Sequence, residues 1–187
     1  MTCYRVVLAS IFLICTYGLE YVVAEKKDIV ALKGEMNLLD WDFEDDSIKL
    51  IGEWEFFWNQ FVEPNAVKKV SEYIDVPSSW DSEGFATYRL KIKISPEGID
   101  QMKALRIPKI GSSYELWIDG VKVAGEGRIG ESEEVMIPML RNTVAYFTPQ
   151  STSIDLVLHV TNYNYRKGGL GNLLHLEQLI LLIQVRI

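Results

Sequence analysis

Few side chains in this sequence are of the types that do chemistry, and their spacing decides what each group can be. Glu53 and Glu55 stand two apart, interleaved with Trp54 and Phe56. Paired carboxylates serve glycosidases when they flank the scissile bond at roughly 5–9 Å. On a strand, however, residues i and i+2 share one face, and alternation with aromatics reads as the wet side of a sheet. Asp40-Trp41-Asp42-Phe43-Glu44-Asp45-Asp46 has the carboxylate density of a calcium loop. An EF-hand needs Gly at its sixth position and Glu at its twelfth, and Asp45 and Ile51 stand there instead. A solvated acidic turn, with Trp41 and Phe43 packing behind it, is favoured over a calcium site of another kind. Gly125-Glu126-Gly127-Arg128-Ile129-Gly130 fits the spacing of a dinucleotide loop. That loop must open a helix whose N-terminus faces a pyrophosphate. Here Glu131-Ser132-Glu133-Glu134 follows, with Pro138 soon after, so the run is read as a glycine-rich loop after a hairpin. His159 and His175 are the only imidazoles. No G-x-S-x-G elbow and no H-E-x-x-H pair is present. The chain is therefore expected to be no enzyme, with no cofactor and no metal centre.

The candidate ligand contacts lie elsewhere. Trp80 follows a Pro-Ser-Ser turn, which suits a ring at a loop rim. Arg89 alternates with Tyr88 and Leu90 on a basic face. Asn162, Tyr163, Asn164 and Arg166 leave a strand and run into Gly168-Gly169, where the backbone turns sharply. Together Trp80, Arg89, Asn162, Tyr163, Asn164 and Arg166 offer a stacking face and planar donor forks. Sugar hydroxyls and carboxylates need those groups. The competing reading makes Trp80 a core plug, Arg89 the partner of a carboxylate such as Glu53 or Glu55, and the Asn residues turn caps.

The elements that must carry these residues read as antiparallel β. Tyr88, Leu90, Ile92 and Ile94 alternate with Arg89, Lys91 and Lys93. Ser113 to Ile118 and Ile154 to Thr161 alternate in the same way, so each strand buries one face. Asp119-Gly120 suits a two-residue hairpin turn. Further strands are expected at 49–57, 72–76, 104–107, 143–147 and 179–185. The last is a continuous apolar run fitted to burial on both faces. Short helices are expected at 64–70 and 96–102, each opening on Pro. The expected core is Trp54, Phe56, Tyr88, Leu90, Ile92, Leu116, Ile118, Leu156, Leu158 and Val160. Many short strands with turn chemistry between them predict an all-β, antiparallel jelly-roll β-sandwich of the galactose-binding type.

Composition sets the outer limits. The 187 residues carry nineteen Lys and Arg against twenty-six Asp and Glu, for a net charge of −7. One domain is the prior for that length. An acidic chain does not suit general nucleic-acid binding. Mean hydropathy of +0.05 is too low for a multi-span membrane protein. Residues 1–24 read as a secretory signal: Arg5 is the positive start, 6–17 is apolar and uncharged, and Val22-Val23-Ala24 ends it. An uncleaved anchor is the alternative. Cys3 and Cys15 both fall inside this signal, so no disulfide is expected in the mature 25–187 domain.

Five stretches taken together resemble a known family. They are Gly52-Glu53-Trp54-Glu55-Phe56-Phe57-Trp58, Val76-Pro77-Ser78-Ser79-Trp80, Gly84-Phe85-Ala86-Thr87-Tyr88-Arg89-Leu90, the run Ile110 to Gly120, and the run Val160 to Leu170. Their order and spacing are similar to the second type of extracellular domain of bacterial seven-transmembrane receptors with diverse intracellular signalling modules, over about Leu32 to Leu170. A more distant likeness is to the sugar-binding jelly roll of family 2 glycoside hydrolases. The resemblance implies an exported sensor on the periplasmic or extracellular side of the cytoplasmic membrane, taking a carbohydrate-like small molecule. It implies membrane attachment only through a following transmembrane region, which these 187 residues do not contain. Where the family continues after its glycines with an aromatic and a Pro, Gly171-Asn172-Leu173-Leu174-His175 stands here. The expectation is thus a truncated or stand-alone sensor domain, or alternatively the non-catalytic sandwich of a glycoside hydrolase. The sequence does not specify the oligomeric state.

Overall fold

A computed structural model describes residues 28–43, 47–70 and 72–179. The signal expected at 1–24 and nearly all of the strand expected at 179–185 lie outside these residues. The elements are β1 (Glu35–Leu38), β2 (Ile48–Lys49), β3 (Gly52–Trp58), β4 (Glu72–Val76), β5 (Gly84–Ile94), a 3-10 turn (Pro96–Gly98), β6 (Lys103–Ile107), β7 (Ser113–Ile118), β8 (Val121–Glu126), β9 (Thr143–Phe147), β10 (Ser153–Asn162) and β11 (His175–Gln178). They form a sandwich of two sheets. The larger runs β4-β3-β5-β10-β7-β8, with β1 added beside β5, and the smaller runs β2-β11-β6-β9. The expected antiparallel jelly-roll sandwich is the observed fold. The exception is β1, which pairs parallel with β5.

Alternation explains the core. In the larger sheet Phe56, Tyr88, Leu158, Leu116 and Ala124 lie in register across β3, β5, β10, β7 and β8. In the smaller sheet Ile48, Leu176, Leu105 and Ala145 form the facing row. All ten residues expected in the core are buried. Each such side chain contributes about 1.5–3 kcal/mol by leaving water. Asp119 and Gly120 both take positive φ, +49° and +82°, and close the expected β7–β8 hairpin with the twist that a two-residue turn requires.

Several elements differ from expectation, each for a local reason. The strand expected at 49–57 is two strands in different sheets. Gly52, at φ +107°, lets the chain cross between them, and a side chain there would meet the Ala31 carbonyl at 2.4 Å. The helix expected at 96–102 is only a 3-10 turn at 96–98, because Ile99 is already extended, at φ −67° and ψ 143°, and Asp100 follows at φ +60°. No helix forms at 64–70. Asn65 sits at φ +68°, and the segment lies as an irregular strap across the outer face of the larger sheet. The expectation of one wet face fails here: Val157, His159 and Thr161 point away from the sandwich interior yet are buried, His159 against the strap at Val62 and Thr161 against Gly130. The last described strand is β11, at 175–178, and Leu179 follows it with a single backbone bond to Met102.

The strap is pinned by polar groups. The Thr87 hydroxyl donates to the Gln60 carbonyl at 2.7 Å and accepts from the Val62 N–H at 2.9 Å. His159 Nε2 lies 2.9 Å from the Val62 carbonyl, which only accepts, so Nε2 carries the hydrogen. Burial pushes the His159 pKa down, against weaker opposing effects from the Val62 bond and from Glu115 and Glu63. The unfolded chain then binds a proton that the native ring refuses. Stability is therefore lost as pH falls below the ordinary His range, about 6.5. Thermal melts are expected to show a lower Tm at pH 5.5 than at pH 7.5, and His159→Gln is expected to flatten that difference. An unchanged slope in the variant would assign the pH dependence to other groups.

Candidate functional site

The segment after β10 is shaped by Asn162, which is fully buried. Its Oδ1 accepts from the Tyr165 N–H at 3.1 Å, and its Nδ2 donates to the Tyr165 carbonyl at 2.6 Å. This closed turn leaves Asn164, Tyr165, Arg166 and Lys167 exposed. The chain then returns to the sandwich through bridges from Gly168 to Trp80 and from Gly169 to Gly111. A side chain on Gly168 would stand 2.3 Å from Trp80 Nε1, so only glycine fits beneath that ring. Gly169 takes φ +90°, and the next N–H, of Leu170, donates to Tyr88 Oη at 3.2 Å. Burial pushes the Tyr88 phenol far above its ordinary pKa, which keeps it a neutral acceptor for that bond.

These turns frame a groove of about 590 Å³ whose walls include Ser79, Lys109, Tyr165, Arg166, Lys167 and Asn172. The volume falls in the range of small-molecule sites, roughly 300–1,000 Å³. Tyr165 is 44% exposed and presents a ring. Asn172 Nδ2 donates to the Lys109 carbonyl at 3.2 Å, tying the β6–β7 connection to the groove rim. A second cavity of about 610 Å³ opens between β8 and β9. Val121, Val123, Tyr146 and Phe147 line it, and Asp119 is its one charged residue, so its lining carries no cation.

The structure separates the six residues expected to touch ligand. Arg166 lines the groove. Asn162 caps the turn that exposes it, and Asn164 stands on that turn. Tyr163 Oη donates to the Glu131 carbonyl on the neighbouring loop. Trp80 packs behind the groove floor, stacked on Tyr88 at 5.9 Å and edge-on to Trp58 at 5.1 Å. Arg89 lies on the outer face of the larger sheet, far along the fold from the rest. Its Nε and Nη2 grip both Asp155 oxygens at 2.7 and 2.8 Å, and Nη1 donates to the Ala66 carbonyl at 2.9 Å. Its carboxylate partner is Asp155, not Glu53 or Glu55. Glu53 instead accepts from the Lys33 N–H at 3.0 Å, and burial raises the Glu55 pKa despite the nearby Arg89 cation.

Tyr165, Lys109, Lys167 and Asn172 were not expected at the site. Tyr165 and Lys167 sit inside the Val160–Leu170 run, and the glycines beside them were the available signal. Lys109 joins from a connection about sixty residues earlier, through a crossing that no local pattern encodes. The G-x-G-x-x-G run opens no helix. Gly127 takes φ +73° under the Ile137 carbonyl, and Gly130 exchanges bonds with the Thr161 hydroxyl. Among the described residues no group of three or more His, Cys, Asp or Glu could hold a metal, and Glu44 to Asp46 lie outside them.

No known protein family matches this sequence, and no curated protein does. Solved structures match it. A Ruminococcus gnavus β-glucuronidase superposes with a TM-score of 0.54 at 15% identity, over 72% of this chain and 29% of that one. A Bacteroides uniformis β-glucuronidase gives 0.55 at 16% identity, over 70% of this chain and 17% of that one. A β-glucuronidase from an uncultured Clostridium sp. gives 0.53 at 14% identity, over 70% and 28%. These neighbours agree with the likeness to glycoside-hydrolase sandwiches, and no family match supports the receptor-sensor resemblance. At such identities the likeness is one of fold: this chain shares a β-sandwich with a part, under a third, of each enzyme.

Proposed function

We propose that this chain is a non-catalytic ligand-binding sandwich that takes a carbohydrate-like small molecule in the groove beside residues 165–172. The observation that carries this reading is the convergence there of an exposed ring, a guanidinium and an amide. Aromatic faces stack on the apolar side of a sugar ring, while planar polar groups pair its hydroxyls. The sandwiches it superposes on are parts of enzymes named for a glycoside, which supports the same ligand class.

The signal at 1–24 supports export, and the five-stretch resemblance supports a sensor facing outward from the cytoplasmic membrane. The structural neighbours favour a second reading, the accessory sandwich of a glycoside hydrolase. The native gene downstream of codon 187 separates the two: apolar membrane spans identify the receptor, and a catalytic domain identifies the hydrolase. Ligand binding itself is tested on a glycan array. Tyr165→Ala and Arg166→Ala are expected to weaken a hit at least tenfold with Tm unchanged. A hit retained in both folded variants would place the site elsewhere.

A further inference from the structure

Building on that reading, we infer that the groove takes an anionic saccharide, one carrying oxyanion groups such as uronate carboxylates or sulfate esters. The chain is acidic overall, with twenty-six Asp and Glu against nineteen Lys and Arg. The groove inverts that balance: Lys109, Arg166 and Lys167 all line it, and no carboxylate does. Elsewhere in the described structure, four cations sit on acids, while others such as Lys68, Lys103 and Arg128 bond to amide or carbonyl oxygens. Arg89 holds Asp155, Lys93 holds Glu35, Arg106 holds Glu177 and Lys122 holds Glu115. Among the described residues no acid pairs with Lys109, Arg166 or Lys167. Three like charges gathered without counter-charge repel one another in the empty groove, and a bound anion relieves that repulsion.

The remaining features discriminate among anions. A lone inorganic ion has no use for the Tyr165 ring or for a trough of this volume, whereas a saccharide chain fills both. A neutral sugar needs the ring and the Asn172 amide but not three cations. Arg166 can engage a carboxylate or sulfate through two parallel N–H bonds, while the lysines act as point charges along the chain. The floor is left open where it is not needed for packing. A side chain built on Gly171 meets nothing nearer than Ser79 Cβ at 3.7 Å, and its φ is not in the left-handed region. Gly171 is thus a position where the groove can be filled without disturbing the sandwich.

The test is titration calorimetry on the full chain with three probes at constant ionic strength: a galacturonate tetrasaccharide, the neutral galactose tetrasaccharide of the same linkage, and sodium sulfate. A sulfated galactose tetrasaccharide serves as a fourth arm for the ester form. An acidic tetrasaccharide is expected to bind at least tenfold more tightly than the neutral one, and more weakly as salt rises. Gly171→Leu is expected to abolish binding with Tm retained, and Arg166→Gln and Lys109→Gln to reduce it about tenfold each. Equal affinity for neutral and acidic chains would overturn the anionic assignment while leaving sugar binding intact. Sulfate binding as tightly as the oligosaccharides would reduce the groove to an ion site. Absence of binding to all four probes would overturn both the inference and the sugar-binding reading, and so would undiminished binding in folded Gly171→Leu for this groove.

Discussion

Replacing Trp80 with Ala is expected to destabilise the protein by about 3 kcal/mol, near the lower end for Trp in a core because the ring is half-buried. The cost comes from three ring neighbours at once. Trp80 stacks on Tyr88 at 13° between planes, meets Trp58 edge-on, and lies 5.9 Å from Phe56. Aromatic contacts of this kind add about 0.5–1.5 kcal/mol each beyond area burial. Removing the ring also uncovers Gly168 and Gly169, which approach within side-chain distance of it. For a domain of this size the Tm is expected to drop by roughly 6–12 °C. Arg166→Ala, on the exposed turn, is expected to stay within about 0.5 kcal/mol of the parent. Urea melts of the two variants measure both values. A Trp80→Ala protein of parent stability that has lost glycan binding would restore Trp80 to the role of a stacking platform.

This contrast shows where the sequence speaks and where it does not. Period-two alternation identifies which side chain of a strand goes inward, so Trp54, Tyr88, Leu116 and Leu158 are legible without coordinates. Alternation is silent on which strands become neighbours. The parallel β1–β5 pair, the division of 48–58 between two sheets, and the strap at 59–70 all depend on contacts distant in sequence. The candidate site follows the same rule. The turn from Asn162 to Gly169 is local, built from an amide cap and two glycines, and its exposed Arg166 is legible. Lys109 and Asn172 reach the groove only through the packing of the β6–β7 connection against the last turn. The Pro-Ser-Ser turn before Trp80 predicts a rim position for its ring. The bridge to Gly168, which draws the ring inward, pairs residues far apart in the chain.

Arg89→Met is expected to cost about 2–3 kcal/mol, the range for losing hydrogen bonds to a charged group. Alternation places Arg89 on the outer face correctly, but its partner follows from register. β5 and β10 pair Arg89 with Val157, so the guanidinium reaches diagonally to Asp155. Both side chains are mostly covered, at 18% and 15% exposure, so solvent screens the pair less than a surface ion pair. The third contact, Nη1 to the Ala66 carbonyl, fastens the strap to the sheet. Met keeps much of the aliphatic stem while leaving Asp155 without its fork and Ala66 without its donor. Asp155→Asn removes the ion pair but leaves the strap bond in place, and is expected to cost less. The double variant is expected to lose less than the sum of the two, with a coupling of about 1–2 kcal/mol, because both remove the same bidentate contact. Hydrogen exchange supplies the second readout. Only Arg89→Met should speed exchange at Val62, whose N–H is held by Thr87 beneath the strap. Additive losses with an unchanged Val62 amide would mean that Arg89 and Asp155 act independently and that Thr87 and His159 hold the strap without them.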